Sequence, residues 1–253
     1  MPHTLVLRVR RLQPGAPSTR PFLQPRRAAS IRMTLKARLI LRFAITVAIL
    51  AALLFLPAGG FNYWQAWVYL AIVFIPMLFS SFYFYKHDPQ LVEARMRTKE
   101  TVREQKLIVK LAKVVFLGVI LLPGFDHRFG WSNVPLWLTI LSQAVSLIGY
   151  LLTFWVMKVN SFASRIIEVQ SGQKVISTGP YRLVRHPMYL GAIVMFLFMP
   201  LALGSYWTLP PAALVVPVIV FRLLNEEKVL LKDLPGYSEY CQHARFHLIP
   251  FVW

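Results

Sequence analysis

The sequence contains a single cysteine, Cys241, among 253 residues. A disulfide framework and a cysteine-based metal cluster are therefore excluded, and no metal site is expected. Acidic residues are also scarce. Only 10 Asp and Glu stand against 28 Lys and Arg, a formal net charge of +18. Charged residues of both signs make up 15% of the chain, too little to cover a water-soluble domain of this size with polar surface. Residues 1–32 are rich in Arg and Pro but have no apolar centre, so they are not a secretory signal. They read as a disordered basic arm, with Met33 as an alternative start. No internal repeat of transporter length occurs.

What is abundant is apolar: 57% of residues are hydrophobic and 14% aromatic. A helix needs about 20 apolar residues to cross the hydrocarbon of a bilayer. Candidate spans are 39–57, 63–85, 108–123, 134–157, 188–203 and 207–224. The third is short and begins beside Lys110 and Lys113, which must snorkel. The expected fold is all-α: a polytopic membrane protein with about six transmembrane helices and a cofactor site on the cytoplasmic face. In that arrangement all but Arg128 of the 28 Lys and Arg fall on one side. By the positive-inside rule, both termini are then cytoplasmic. The expected location is a bacterial inner membrane, or the endoplasmic reticulum in a eukaryotic host. The basic excess sits between apolar runs, so it suits anionic lipid rather than nucleic acid. Residues 33–253 are expected to form one membrane domain. The basic stretch 88–103 reads as an amphipathic surface helix without chemistry.

Ionisable residues are nearly absent inside the spans, which argues against a pump or transporter. They gather instead at 178–189 and 222–233. Span five starts just after His186-Pro187, and span six ends just before Glu226. An antiparallel hairpin turning at Gly204-Ser205-Tyr206 brings these two clusters to one membrane face. Arg185, His186 and Tyr189 then neighbour Arg222, Glu226 and Glu227. Arg222 and Glu226 lie one turn apart on a helix, as a surface ion pair or as two ends of a zwitterion site. Gly191 leaves room for another backbone or for a ligand. Each residue has a plainer alternative: His186 as a helix-end histidine, and Tyr181 and Tyr189 as members of an interfacial aromatic belt.

The run Gly179–Gly191, GPYRLVRHPMYLG, together with Glu226-Glu227, Leu230, Pro235-Gly236-Tyr237, Tyr240 and Leu248-Ile249-Pro250, resembles the isoprenylcysteine carboxyl methyltransferases and the related phospholipid N-methyltransferases. The resemblance covers about residues 160–253. It implies an enzyme that uses S-adenosylmethionine and takes a lipophilic acceptor from the bilayer. By motif position it sets the donor against Gln170, Gln173, Lys174, Val175, Ile176, Tyr181, Arg185, His186, Tyr189, Glu226 and Glu227. Arg222, Glu226 and His186 are implied as catalytic, with Arg222 on the carboxylate of an isoprenoid- or lipid-like acceptor. Glu226 suits the donor's ammonium, and His186 or Arg185 its carboxylate. Tyr181 or Tyr189 can face the sulfonium or the adenine. An amine acceptor would need a base, for which Glu227 is available. The stretch RHPxY is also similar to that of membrane sterol reductases that use NADPH, which leaves a reductase as the alternative. The tail 237–253 is too polar to span and is expected to fold back over the donor as a lid.

Overall fold

The computed structural model describes residues 34–96 and 103–253. The basic arm 1–32 lies outside the described residues, as does 97–102 of the expected surface helix. Thr34 starts the first helix, α1 (Leu35–Ala58), by accepting the Ala37 amide on its hydroxyl. The second, α2 (Trp64–His87), follows after a short turn. Asp88 then caps the Leu91 amide, and Pro89 opens the short helix α3 (Pro89–Met96). Two long helices come next, α4 (Arg103–Phe129) and α5 (Leu136–Val159). A loop without regular structure leads into a single 3₁₀ turn at Gly179–Arg182. The chain ends with α6 (Pro187–Ala202), α7 (Leu209–Ala213), α8 (Val215–Asp233) and α9 (Tyr237–His243). Among the described residues there is no β-strand, only one isolated parallel bridge between Val184 and Phe246.

The all-α expectation holds. Three helices, α1, α2 and α5, are long and apolar enough to cross a membrane, and α6 is apolar but shorter. Their outward faces are apolar: Leu56 is 76% exposed and Ile75 68%. Water would not tolerate such continuous faces, whereas lipid does. In α4, Lys110 and Lys113 are exposed, consistent with snorkelling. The sixth expected span is not one helix: it breaks at Leu214 into α7 and α8. Pro217 supplies the reason, since it has no N–H for the Ala213 carbonyl and its ring crowds that oxygen.

Two polar ends bracket an apolar middle. At one end the Tyr63 hydroxyl donates to the Leu203 carbonyl. Ser205 and Ser132 donate to the buried Asp126 carboxylate, which ties α4 to the turn after α6. Exposed Trp64, Trp67, Trp131, Trp137 and Trp207 mark this end as a membrane interface. The core beneath joins Leu54, Phe74, Ile120 and Met199 from α1, α2, α4 and α6. At the other end α3 docks through Leu91 and Val92 against Phe84 and Met157.

Helices α5 and α6 cross closely. A Cβ on Gly191 would lie 2.8 Å from the Gly149 carbonyl oxygen and 2.6 Å from the Thr153 hydroxyl, and one on Gly149 would lie 2.9 Å from the Gly191 carbonyl. Small residues at this point let the two backbones touch, a packing device of membrane helices. Of the two alternatives for Gly191, the approaching group is a backbone.

Candidate active site

His186 caps α6 and Pro187 occupies its first turn, so the residues before them turn sharply at the helix start. The hairpin brings this start to the charged end of α8. The Tyr189 hydroxyl donates to the Glu226 carboxylate over 2.5 Å. One helical step away, Glu227 is buried and receives three partners. Arg185 lies 3.2 Å from one of its oxygens, His186 3.3 Å from the same oxygen, and His247 3.1 Å from the other. Burial pushes the Glu227 carboxyl up, but hydrogen bonds and charge from His186, His247 and Arg185 outweigh it and hold its pKa down at about 2.

The C-terminal segment is stitched onto the same place. The Arg185 amide donates to the Phe246 carbonyl, and the His186 amide to the His247 carbonyl, each over 2.9 Å. The Arg185 guanidinium also donates to the carbonyls of Ala244 and Cys241. Tyr240 reaches across to the Tyr181 carbonyl. Leu234, Tyr237, Tyr240 and Ala244 bury themselves together, with Val175 and Tyr181 packed against them. The tail therefore does fold back onto the motif, in strand-like register with residues 184–186.

These elements enclose a cavity of about 500 Å³. Its polar end is lined by Gln173, Lys174, Val175, Ile176, Tyr181, Arg185, His186, Tyr189, Arg222 and Glu226. Its apolar end runs up between the helices to Leu54, Tyr69, Phe116 and Met199. Burial, with Glu226 nearby, raises the Tyr181 phenol to about 12, although Asn160 donates to its oxygen. Tyr181 is thus a neutral hydrogen-bonding group at any ordinary pH. The Tyr237 hydroxyl is buried without a hydrogen-bond partner at this same wall.

Most residues expected at the donor site converge here. Two do not line the cavity: Gln170 and Glu227. The Gln170 side chain donates to the Phe162 carbonyl, and its own amide is capped by Gln173. Glu227 faces the Arg185–His186–His247 cluster. Arg222 lines the cavity while donating to the Arg165 carbonyl, which fixes the loop after α5. Sequence reasoning missed His247, Asn160 and Arg95. His247 directly precedes the Leu248-Ile249-Pro250 motif, the one signal that could have drawn attention to it.

Comparison with known proteins bears on this half of the chain. Residues 137–235 match the phospholipid methyltransferase family model. The match bears out the resemblance read from the motifs, since both the GPYRLVRHPMYLG run and the glutamate pair fall inside it. The matched segment, about two fifths of the chain, is thus similar to phospholipid methyltransferases. A mouse protein, Delta(14)-sterol reductase TM7SF2, is 30% identical over 90 residues, covering 34% of this chain and 22% of the reductase. The chain thus matches only about a fifth of that relative's length. A solved structure of the eukaryotic intramembrane Ras methyltransferase ICMT (isoprenylcysteine carboxyl methyltransferase) aligns over 87% of this chain and 88% of that one. It does so at 16% identity and a TM-score of 0.43. A likeness that low carries no argument about activity.

Proposed function

We propose that this protein is an integral membrane methyltransferase that moves a methyl group from S-adenosylmethionine to a carboxylate of an isoprenoid- or lipid-like acceptor. One observation carries the reading: a single cavity is polar beside Glu226 and Tyr181 and apolar beside Leu54 and Met199, and its polar end is lined mainly from the segment matched to phospholipid methyltransferases. Such a cavity suits a polar donor from the aqueous side and an apolar acceptor from the bilayer.

The lining residues fit the donor's chemistry. Glu226 offers a carboxylate to an ammonium. Gln173, Lys174 and the backbone of 174–176 offer polar contacts to a nucleoside and a carboxylate. Tyr237 contributes a buried hydroxyl still lacking a partner. S-adenosylmethionine, when bound, supplies an electrophilic methyl on a sulfonium, which a carboxylate oxygen takes in line as the C–S bond breaks and a thioether departs. The chain's task is then to position and desolvate. Tyr189 aims the Glu226 carboxylate. Arg222, anchored on the loop, orients the acceptor's carboxylate. Tyr181, neutral and buried, helps to exclude water. Glu227 with Arg185, His186 and His247 forms the clamp that keeps the tail closed over the donor end.

A carboxylate acceptor is already ionised and needs no base. An amine acceptor needs one, and Glu227, held near pKa 2, is a weak base turned away from the cavity. Cations also predominate on the lining: Arg95, Arg165, Lys174, Arg185 and Arg222 against Glu168 and Glu226. Both facts favour O-methylation over N-methylation. A second reading, an NADPH-dependent reductase of a sterol-like substrate, draws on the 90-residue similarity to the mouse reductase and on these same cations. It assigns no task to Glu226. The distribution of Lys and Arg supports the further proposal that both termini face the cytoplasm.

The test is to incubate the purified protein with methyl-labelled donor and host membrane lipids, then treat the labelled product with alkali. Release of labelled methanol identifies a methyl ester. An alkali-stable label identifies N-methylation. Absence of label, with thermal stabilisation by NADPH, identifies the reductase.

A further inference from the structure

Helix α3 was expected to be a surface element without chemistry, yet its Arg95 points inward. The Arg95 guanidinium lines the cavity, donates to the Ala163 carbonyl at 3.1 Å and contacts the Met188 sulfur at 3.5 Å. Among the described residues no carboxylate pairs with it. Burial first, then the like charge of Arg165 on the same cavity, holds the Arg95 guanidinium's pKa below the ordinary arginine value. The phenols of Tyr150 and Tyr181 are also near. A half-buried cation beside a second cation, with neutral partners only, is destabilised unless an anion joins it. The contact with Met188 sets Arg95 at the first turn of α6, the same level as Tyr189 and its Glu226 partner.

We propose that Arg95 determines acceptor specificity: its guanidinium receives the anionic group of an amphiphilic acceptor inside the cavity, from a wall separate from that of Arg222. The inference rests on the methyl-transfer reading and adds a selection rule to it. The acceptor is an anionic amphiphile, and an uncharged one of the same shape binds poorly. Methyl transfer then removes the charge that Arg95 recognises, so the neutral ester is released more readily than the acid was bound.

The test compares an S-farnesyl thioether carboxylic acid with its carboxamide, both measured by direct binding to the full-length protein in detergent without donor. Wild type is expected to bind the acid at least tenfold more tightly than the amide. Arg95→Met, which keeps the apolar stem, should lose most of that preference, with Arg222 supplying the remainder, while binding the amide as wild type does. Arg95→Lys should keep most of the preference, because it keeps the charge. Affinity for S-adenosylhomocysteine should stay within about twofold in both variants, which also reports that they fold. Equal binding of acid and amide by wild type would overturn the proposal. So would equal weakening of both ligands in Arg95→Met, which would mark a purely structural tie to Ala163. Should Arg95→Met fail to fold, loss of the acid preference in Arg95→Lys alone would count against recognition by charge. Failure of the methyl-transfer reading would be seen separately, as no response of wild type to S-adenosylhomocysteine.

Discussion

The hydroxyl of Tyr189 and the carboxylate of Glu226 meet across 2.5 Å, although 37 residues separate them in the chain. This bond joins the start of α6 to the end of α8 at the polar end of the cavity. It commits one oxygen of the Glu226 carboxylate. A hydrogen bond to a charged group contributes roughly 1.5–3 kcal/mol. Tyr189→Phe should therefore lower the melting temperature by several degrees and, with Glu226 no longer aimed, also weaken S-adenosylhomocysteine binding, measured by titration calorimetry. Unchanged affinity would show that Tyr189 does not aim the carboxylate.

Glu227 should matter more for stability. Its carboxylate is the shared partner of Arg185, His186 and His247. Glu227→Ala leaves these groups enclosed without their anion. Breaking a buried pair costs about 3–5 kcal/mol, a fall of about 10 °C in melting temperature for a chain of this size. Melting in detergent checks this. A change below about 1 °C would contradict the clamp.

The same carboxylate sets an acid limit. Its pKa is lowered from 4.5 to about 2 in the folded protein. A carboxylate depressed on folding adds stability that is complete above about pH 4.5 and is lost as pH falls through about 2. Melting temperature should drop across that window in wild type and drop less in Glu227→Gln. Parallel curves for the two proteins would remove Glu227 as the cause.

Gly191 is required by packing. A methyl group there would stand 2.6 Å from the Thr153 hydroxyl and 2.8 Å from the Gly149 carbonyl. The backbone cannot yield cheaply, so Gly191→Ala should destabilise by about 1–3 kcal/mol. Adding Thr153→Ala should recover only part of that, because the Gly149 carbonyl remains. Full recovery in the double variant, read by melting temperature, would show that the hydroxyl alone is the obstacle.

Asp126 provides the far-end control. It is buried and accepts from Ser132 and Ser205. Asp126→Ala strands these donors, each at a cost of about 1–3 kcal/mol. Stability should fall while affinity for S-adenosylhomocysteine stays unchanged, as measured on the folded fraction. Loss of affinity in this variant would couple the two membrane faces in a way not foreseen.

Much of the site was legible because apolar run length and charge position are properties of sequence. Where His186 ends a polar stretch and Glu226 begins one, a hairpin brings the two ends together whatever the packing between. The break at Leu214 was harder to read, since three prolines in an apolar run permit a kinked span as well as two helices. The roles of Glu226 and Glu227 were not separable by spacing. Adjacent residues on a helix point about 100° apart, and only the return of His247 along the tail decides which glutamate becomes buried. Arg95 was invisible for the same reason: a short basic segment beside a membrane reads as a solvated face until its partners are known. Gly191 left two possibilities open, and only the partner helix with Gly149 chose between them.

The most direct measurement is the binding of S-adenosylhomocysteine to wild type and to Glu226→Ala, by calorimetry on detergent-purified protein. Saturable one-site binding by wild type, lost in a variant that still melts cooperatively, is the predicted result. Equal affinity in the two proteins, or stabilisation of wild type by NADPH alone, would contradict it.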